Sequence, residues 1–337
     1  MSIQRNVLIT GATGFIGGHL TRACIGRGWN VRAFALPGDD GGRALTDQGV
    51  TVCYGDISDP DAVLKAAEGT DLIFHCAGMV TDWAPEELFR KVMVIGTENV
   101  CRAALAAEAR LVHVSTNDVF GTNEDVVMTE ELPLQPWGEP YPDFKVEAEQ
   151  VVWRYHREQG LRASMVYPCW VYGPGDRTFV PLLADAIIKK EMVFWRKDVL
   201  VWPTYVSNLV DLMMTIAERD DAIGEGFIVH DGESTTLQEF CARIAEAMNV
   251  PAPQLRIPYA VAYVAALCME AVWKVGRFKG RPLLTTYAVR NLGSRLRFSI
   301  AKTERVLGWK PTVTHRQGMA VTLDWLKQLD HKTLKQK

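Results

Sequence analysis

The sequence predicts an α/β fold, a doubly wound parallel sheet followed by a smaller C-terminal lobe. Three observations carry that prediction. An apolar run, Val7-Leu8-Ile9, feeds a glycine-rich turn at Gly11–Gly17. Strand-like and helix-like segments then alternate as far as residue 167. Tyr141 and Lys145 stand one helical turn apart at the start of a helical pattern, downstream of Thr116 at the end of a strand-like run.

The glycine turn comes first. A helix N-terminus has unpaired N–H groups and the positive end of the helix dipole, so it can hold a pyrophosphate. Gly11 permits the tight turn, Gly14 lets phosphates approach the backbone, and Gly17 lets the helix pack against the strand. Thr13, Phe15 and Ile16 complete the candidate cradle. The spacing is G-x-x-G-x-x-G, not the general G-x-G-x-x-G. A plain strand–helix turn is the alternative; its place directly after the first strand favours a nucleotide site.

Later strands are predicted at Asn30–Ala35, Val50–Tyr54, Asp71–Cys76, Leu111–Ser115 and Ala163–Tyr167, with helices at Asp61–Ala67, Pro85–Ala107 and Pro142–Gln159. Such alternation implies right-handed crossovers and parallel strands, with ligands at the strands' carboxyl ends. Gly11, Asp56 with Ile57, Cys76-Ala77-Gly78, Thr116 and Pro168 therefore gather on one rim. Asp56 could equally be a turn residue in Gly55-Asp56-Ile57-Ser58-Asp59-Pro60.

Residues at i and i+4 share a helix face, so Tyr141 and Lys145 can point to one site. A free tyrosine has a pKa of about 10 and is a poor base near neutrality. A nearby ammonium and an oxidised nicotinamide would favour the phenolate. Thr116 could hydrogen-bond the reacting oxygen while Tyr141 exchanges the proton. Alone, Y-x-x-x-K is common by chance; Thr116 at a strand end makes chance a poor explanation.

The chain resembles the extended short-chain dehydrogenase/reductases, the superfamily of NAD-dependent epimerases and dehydratases, and within it the 3β-hydroxysteroid dehydrogenase-like branch. The resemblance rests on Gly11–Gly17, Gly55-Asp56, Phe74–Gly78, Asp82–Pro85, Gly96–Val100, Val114–Gly121, Tyr141–Lys145 with Ala148-Glu149, Val171–Asp176 and Leu307–Pro311. It implies a Rossmann sheet, catalytic roles for Thr116, Tyr141 and Lys145, NAD(P) as cofactor, a small-molecule substrate, and a homodimer through helices 85–107 and 142–159. Residues 1–175 would bind the nucleotide, with 204–230 returning to that domain. Residues 176–203 and 231–330 would form the substrate lobe, and 331–337 a flexible tail.

Departures from the family pattern sharpen the reading. Met93 replaces a usual asparagine. Ala35 and Leu36 stand where family members place an acid for NAD or an arginine for NADP; Asp39 and Asp40 oppose a 2′-phosphate, although Arg43 could reach one, so NAD is favoured. Trp170 and Val201 replace the polar groups that hold a nucleotide diphosphate, which needs positive or N–H partners. That points to an apolar alcohol or ketone, sterol-like in size. The alternative is that Trp170, Trp195 and Trp202 are core aromatics. Asn117 replaces the dehydratase acid, so dehydration is not expected.

A chain of 337 residues, 48% hydrophobic, can bury a large core. A net charge of −3 gives no support for nucleic-acid binding. Seven scattered cysteines without a C-x-x-C argue against a zinc site or disulfide framework, and no metal is expected. The N-terminus lacks a signal-peptide pattern, so a cytoplasmic protein is expected. The apolar run Tyr259–Met269 is interrupted by Glu270 and Lys274 before reaching the roughly 20 residues that span a bilayer. With Arg277, Lys279 and Arg281 beyond it, segment 258–281 is a buried lobe helix, a partner interface or a peripheral membrane contact. Three functions stay open: an oxidoreductase, a nucleotide-sugar epimerase, and a non-catalytic NAD(P)-binding regulator.

Overall fold

The structure is a computed structural model describing residues 4–196, 199–330 and 334. Seven strands form one parallel sheet: Asn6–Thr10, Asn30–Ala35, Thr51–Tyr54, Leu72–His75, Arg110–Val114, Ala163–Pro168 and Gly226–Val229. Across the sheet their order is seventh, sixth, fifth, fourth, first, second, third. Chain order reverses between the first and fourth strands, where Thr10 lies level with His75. A crevice opens there at the strands' carboxyl ends, where doubly wound sheets bind ligands.

The central strands are buried on both faces, which is why they read as nearly continuous apolar runs. Leu8, Ile9, Leu72, Ile73, Phe74 and Leu111 are fully buried. One face packs Val63, Val100, Cys101, Val146 and Val152. The other packs Leu20 and Cys24 of the helix Phe15–Gly26 and Leu209 and Met213 of the helix Val206–Glu218.

The structure corrects several expectations. The strand Pro203–Tyr205 does not join the main sheet; it pairs with Trp170–Tyr172 in a separate ribbon. The helix Val206–Glu218 packs on the sheet, and the seventh strand, Gly226–Val229, joins it beside Ala163–Pro168. Gly226 has to be glycine, since a Cβ there would lie 2.5 Å from the Tyr167 ring. The helix expected over 85–107 consists of Glu86–Phe89, a π-helical Arg90–Ile95 and Gly96–Ala106. The helix expected from Pro142 starts at Pro140.

In the C-terminal part a further core joins Tyr172, Leu183, Val201, Phe240, Ile244 and Met319. Two of its helices, Leu237–Ala247 and His315–Leu326, begin with complete capping boxes. The helix Tyr259–Gly276 runs straight through Glu270 and Lys274. Glu270 does not interrupt it because its carboxylate turns inward, accepting from Thr286 N at 2.6 Å and Thr286 Oγ1 at 2.8 Å. The expected tail 331–337 lies outside the described residues except for Leu334.

Candidate active site

The glycine turn has a nucleotide cradle's geometry. Gly11 has φ +68°, and a Cβ there would meet Ala77 N at 2.8 Å. A Cβ on Gly17 would lie 2.1 Å from Gly11 O, so this helix turn cannot close on any larger residue. Gly14 is the N-cap of the helix Phe15–Gly26, which has no side-chain cap and no acid in its first turn. By contrast, Asp39 and Asp59 cap the next two helices. The N–H groups of the first helix are thus left for an anion, and the residues fit a pyrophosphate.

Neighbouring rim residues take defined places. Thr13 donates to Asp39 Oδ2 at 2.6 Å, while Asp39 Oδ1 accepts from Gly41 N. Asp56 pairs with Lys91 at 2.8 Å and accepts from Ser58 N, so it serves its turn as well as the rim. Lys91 holds its carboxyl below the usual range, at about 2. Ile57 is buried, and its carbonyl accepts from Asn99. Beneath the turn, Thr10 Oγ1 lies 2.7 Å from His75 Nδ1 and accepts from Ala77 N. Phe15 packs edge-on to His19, Cys76 is half-buried with its thiol pushed up to about 12 by burial, and Pro168 ends the sixth strand.

Thr116, Tyr141 and Lys145 come together over this rim. Thr116 Oγ1 caps the turn Asn117–Phe120 through Asp118 N, and its side chain lies beside that of Tyr141. Lys145 Nζ donates to Val114 O at 3.0 Å, and a Cβ on Gly78 would lie 3.6 Å from that nitrogen. One turn on, buried Glu149 accepts from Ser115, Trp153 and Tyr167, at 2.8, 3.0 and 2.5 Å. Burial pulls the Lys145 ammonium down to about 8, opposed by Cys76 and Glu149.

The expected lowering of the Tyr141 pKa is not what the chain's own groups produce. Burial raises it, the Asp118 carboxylate raises it further, and Thr116 only partly offsets them. Lys145 points at the Val114 carbonyl instead. The protein by itself therefore keeps Tyr141 a protonated phenol, the form that donates to a ketone.

Other sequence expectations separate here. Met93 is buried with Phe89 and Phe144 in an apolar cluster bordered by Tyr141, so no polar relay runs through it. Val201 lies in the lobe core, so it does not replace a diphosphate ligand in an open pocket, and Trp202 donates to Leu296 O. Trp195 donates to Val289 O, and Trp170 packs edge-on to Phe179 at 4.8 Å. Asp118 and Tyr287 were not singled out as site residues from sequence: Tyr287 comes from the far end of the chain, and no local spacing links it to Tyr141. Among the described residues no group of His, Cys, Asp and Glu suits a metal.

The model of the NAD dependent epimerase/dehydratase family matches residues 7–230. This chain belongs to that family. A 4-hydroxy-2-methyl-3-oxo-4-farnesyl-3,4-dihydroquinoline-1-oxide ketoreductase from Stigmatella aurantiaca is 30% identical, over 95% of each chain. A 3-beta-hydroxysteroid dehydrogenase from Mycolicibacterium neoaurum is 29% identical, over 96% of this chain and 92% of its own. The fold matches DesIV, a dTDP-glucose 4,6-dehydratase from Streptomyces venezuelae solved with NAD and TYD bound, at TM-score 0.78 and 22% identity, over 96% of this chain and 97% of that one. The chain is an oxidoreductase of the extended short-chain type that uses a nicotinamide cofactor.

Proposed function

We propose that this protein transfers a hydride between NAD and a secondary alcohol or ketone on an apolar, sterol- or polyprenyl-sized substrate, with Tyr141 as general acid and base. The observation that carries the reading is Tyr141 itself. It lies beside Thr116, shares a helix face with Lys145, and borders the apolar cluster of Phe89, Met93 and Phe144. When bound, the nicotinamide supplies or accepts the hydride, and its oxidised form adds a positive charge that favours the phenolate. Gly11, Gly14 and Gly17 would hold its pyrophosphate, and Lys145 would lie along its ribose. Thr116 then orients the substrate oxygen and Tyr141 gives it a proton in the reducing direction. Protonated Tyr141 suits ketone reduction.

Three lobe arginines are committed to protein partners, while Arg177 and Arg256 are exposed. Arg196 pairs with Glu124 at 2.6 Å and covers the Tyr259 ring, Arg281 is held by Asp82, and Arg290 donates to Trp137 O. A diphosphate without such partners is costly to bury. A preference for NAD over NADP rests on Asp39, fixed by Thr13 beside the glycine turn, and on Leu36, which extends 58% exposed where NADP enzymes place a cation.

We also propose that segment 258–281 rests on an anionic membrane. The helix Tyr259–Gly276 is long and apolar enough to cross a bilayer, yet only 11% of it is buried. Its protein side is Ala262 and Ala266; its outer side is Val261, Val264, Val272 and Val275. Exposed Phe278 and Leu283 extend this surface beside Lys274, Arg277 and Lys279. A face of this kind lies in the interface plane and would receive a lipid-soluble substrate. A homodimer through 86–106 and 140–159 is proposed from the family resemblance, with exposed Leu88 and Ile95 on that helix.

The test is a screen of hydroxysteroids, polyprenyl ketones and UDP- and dTDP-sugars, following cofactor absorbance and epimer formation together. Saturable, cofactor-coupled turnover of apolar ketones supports the reading. Epimer formation from a sugar nucleotide without net cofactor change overturns it.

A further inference from the structure

We propose that Tyr287 is a positioning residue for the reaction at Tyr141, acting through the Asp118 carboxylate. Tyr287 sits on the short helix Thr286–Asn291, far from Tyr141 in sequence. It reaches the site at two points. Its hydroxyl donates to Asp118 Oδ2 at 2.8 Å, and its ring meets the Tyr141 ring edge-on, with centroids 5.9 Å apart. Asn291 donates to the same hydroxyl at 3.0 Å, so the oxygen has a donor of its own and its proton is directed to Asp118.

Asp118 is 4% exposed and stands two residues after Thr116, in the turn Asn117–Phe120. Its backbone is fixed as well: Asp118 N bonds Thr116, and Asp118 O accepts from Trp137 Nε1 at 2.7 Å. It acts on Tyr141 through charge, raising the phenol's pKa. A buried carboxylate needs a donor, because an unpartnered buried charge is expensive. Tyr287 is the side-chain donor it has, and burial still pushes Asp118 up to about 6. Other groups face this cluster too. Thr116 comes from the same turn, and Cys169 directly follows the sixth strand. Asp82, held by Arg281 and Thr285, adds a second negative charge near Tyr287.

The lobe thus reaches the proton-transferring phenol through one side chain. Tyr287 sets both where the Tyr141 ring lies and how strongly the Asp118 charge bears on it. Two substitutions should act in opposite directions. Asp118→Asn removes the charge and lowers the pH at which Tyr141 ionises. Tyr287→Phe keeps the ring but leaves the charge without its donor, and raises that pH.

The inference rests on Tyr141 as the proton-transferring group, but its test needs no substrate. Tyrosinate absorbance is titrated with NAD bound, subtracting a Tyr141→Phe protein in the same background. The Asp118→Asn midpoint should fall by about one pH unit, the scale of a neighbouring charge, and the Tyr287→Phe midpoint should rise. Midpoints that stay within about 0.3 unit of the parent, or move together, overturn the proposal. If the opposite shifts appear but no ketone is turned over, the pairing stands and the substrate reading falls. Where ketone turnover is found, Tyr287→Phe should lower kcat about 10-fold with KM nearly unchanged. Equal losses in kcat and KM with an unmoved pH profile would mark Tyr287 as purely structural.

Discussion

The cofactor half and the C-terminal lobe solve opposite packing problems. In the first, strands are sandwiched between helices, and the turn Gly11–Gly17 is so tight that a single Cβ would collide with backbone. In the second, the helix Tyr259–Gly276 leaves most of its apolar surface outside the fold. The first half is built for one rigid ligand geometry, whereas the second presents a surface. The two meet through several polar contacts, among them Asp82 with Arg281, Glu139 with Thr286 and Arg290, Glu124 with Arg196, and Asp118 with Tyr287.

The sharpest way to break this contrast is at Gly17. Gly17→Val should abolish NAD binding, because its Cβ would overlap Gly11 O; calorimetric titration with NAD checks it. Wild-type affinity would show that the cradle is far more pliable than its contacts imply. Next comes the chemistry. Tyr141→Phe should cut turnover by about 100-fold or more while leaving NAD affinity nearly intact. Lys145→Ala should damage both, as steady-state rates and cofactor titration would reveal.

A third test addresses the lobe alone. Val264→Glu with Val275→Glu should release the protein from anionic vesicles in a flotation assay without altering its melting temperature, since both side chains are exposed. Retention of vesicle binding by this variant would remove the membrane reading. A smaller effect is expected from Asp39→Ser, which should narrow the preference for NAD over NADP by roughly 10-fold in kcat/KM.

The last prediction concerns the sheet itself. The His75 and His113 rings meet tilted in the core with centroids 4.9 Å apart, and burial drives both below their usual pKa, His75 to about 3. Both are neutral when folded and charge below about 6.5 when unfolded. The unfolded state then binds more protons, so stability is full above about pH 6.5 and declines on acidification. The slope is up to about 1.4 kcal/mol per pH unit for each histidine. His113→Gln should flatten the slope in urea melts between pH 6.5 and 4; an unchanged slope would assign the protons elsewhere.

Much of the cofactor half was legible. Apolar runs fell within a residue or two of the strands, because a strand buried on both faces must be apolar throughout. The glycines were legible because backbone contact excludes every other residue. Tyr141 and Lys145 were legible from helical spacing. That Pro203–Tyr205 pairs with Trp170–Tyr172 rather than with the main sheet was not legible, because short β segments carry no mark of which neighbour they will pair with. Glu270 looked like a break in an apolar helix, and only its partner Thr286 shows that it faces inward.

The sequence by itself determined the order of the main-sheet strands and their helices, the glycine cradle and the residue types of the proposed trio Thr116, Tyr141 and Lys145, since all follow from local periodicity and local sterics. Tertiary structure alone decided that Lys145 faces the Val114 carbonyl, that Val201 is core, that the lobe helix is bare on its outer side, and that Tyr287 reaches Asp118. Those outcomes depend on distant segments competing for the same space and the same hydrogen bonds, and neither competition is visible within any one stretch of chain.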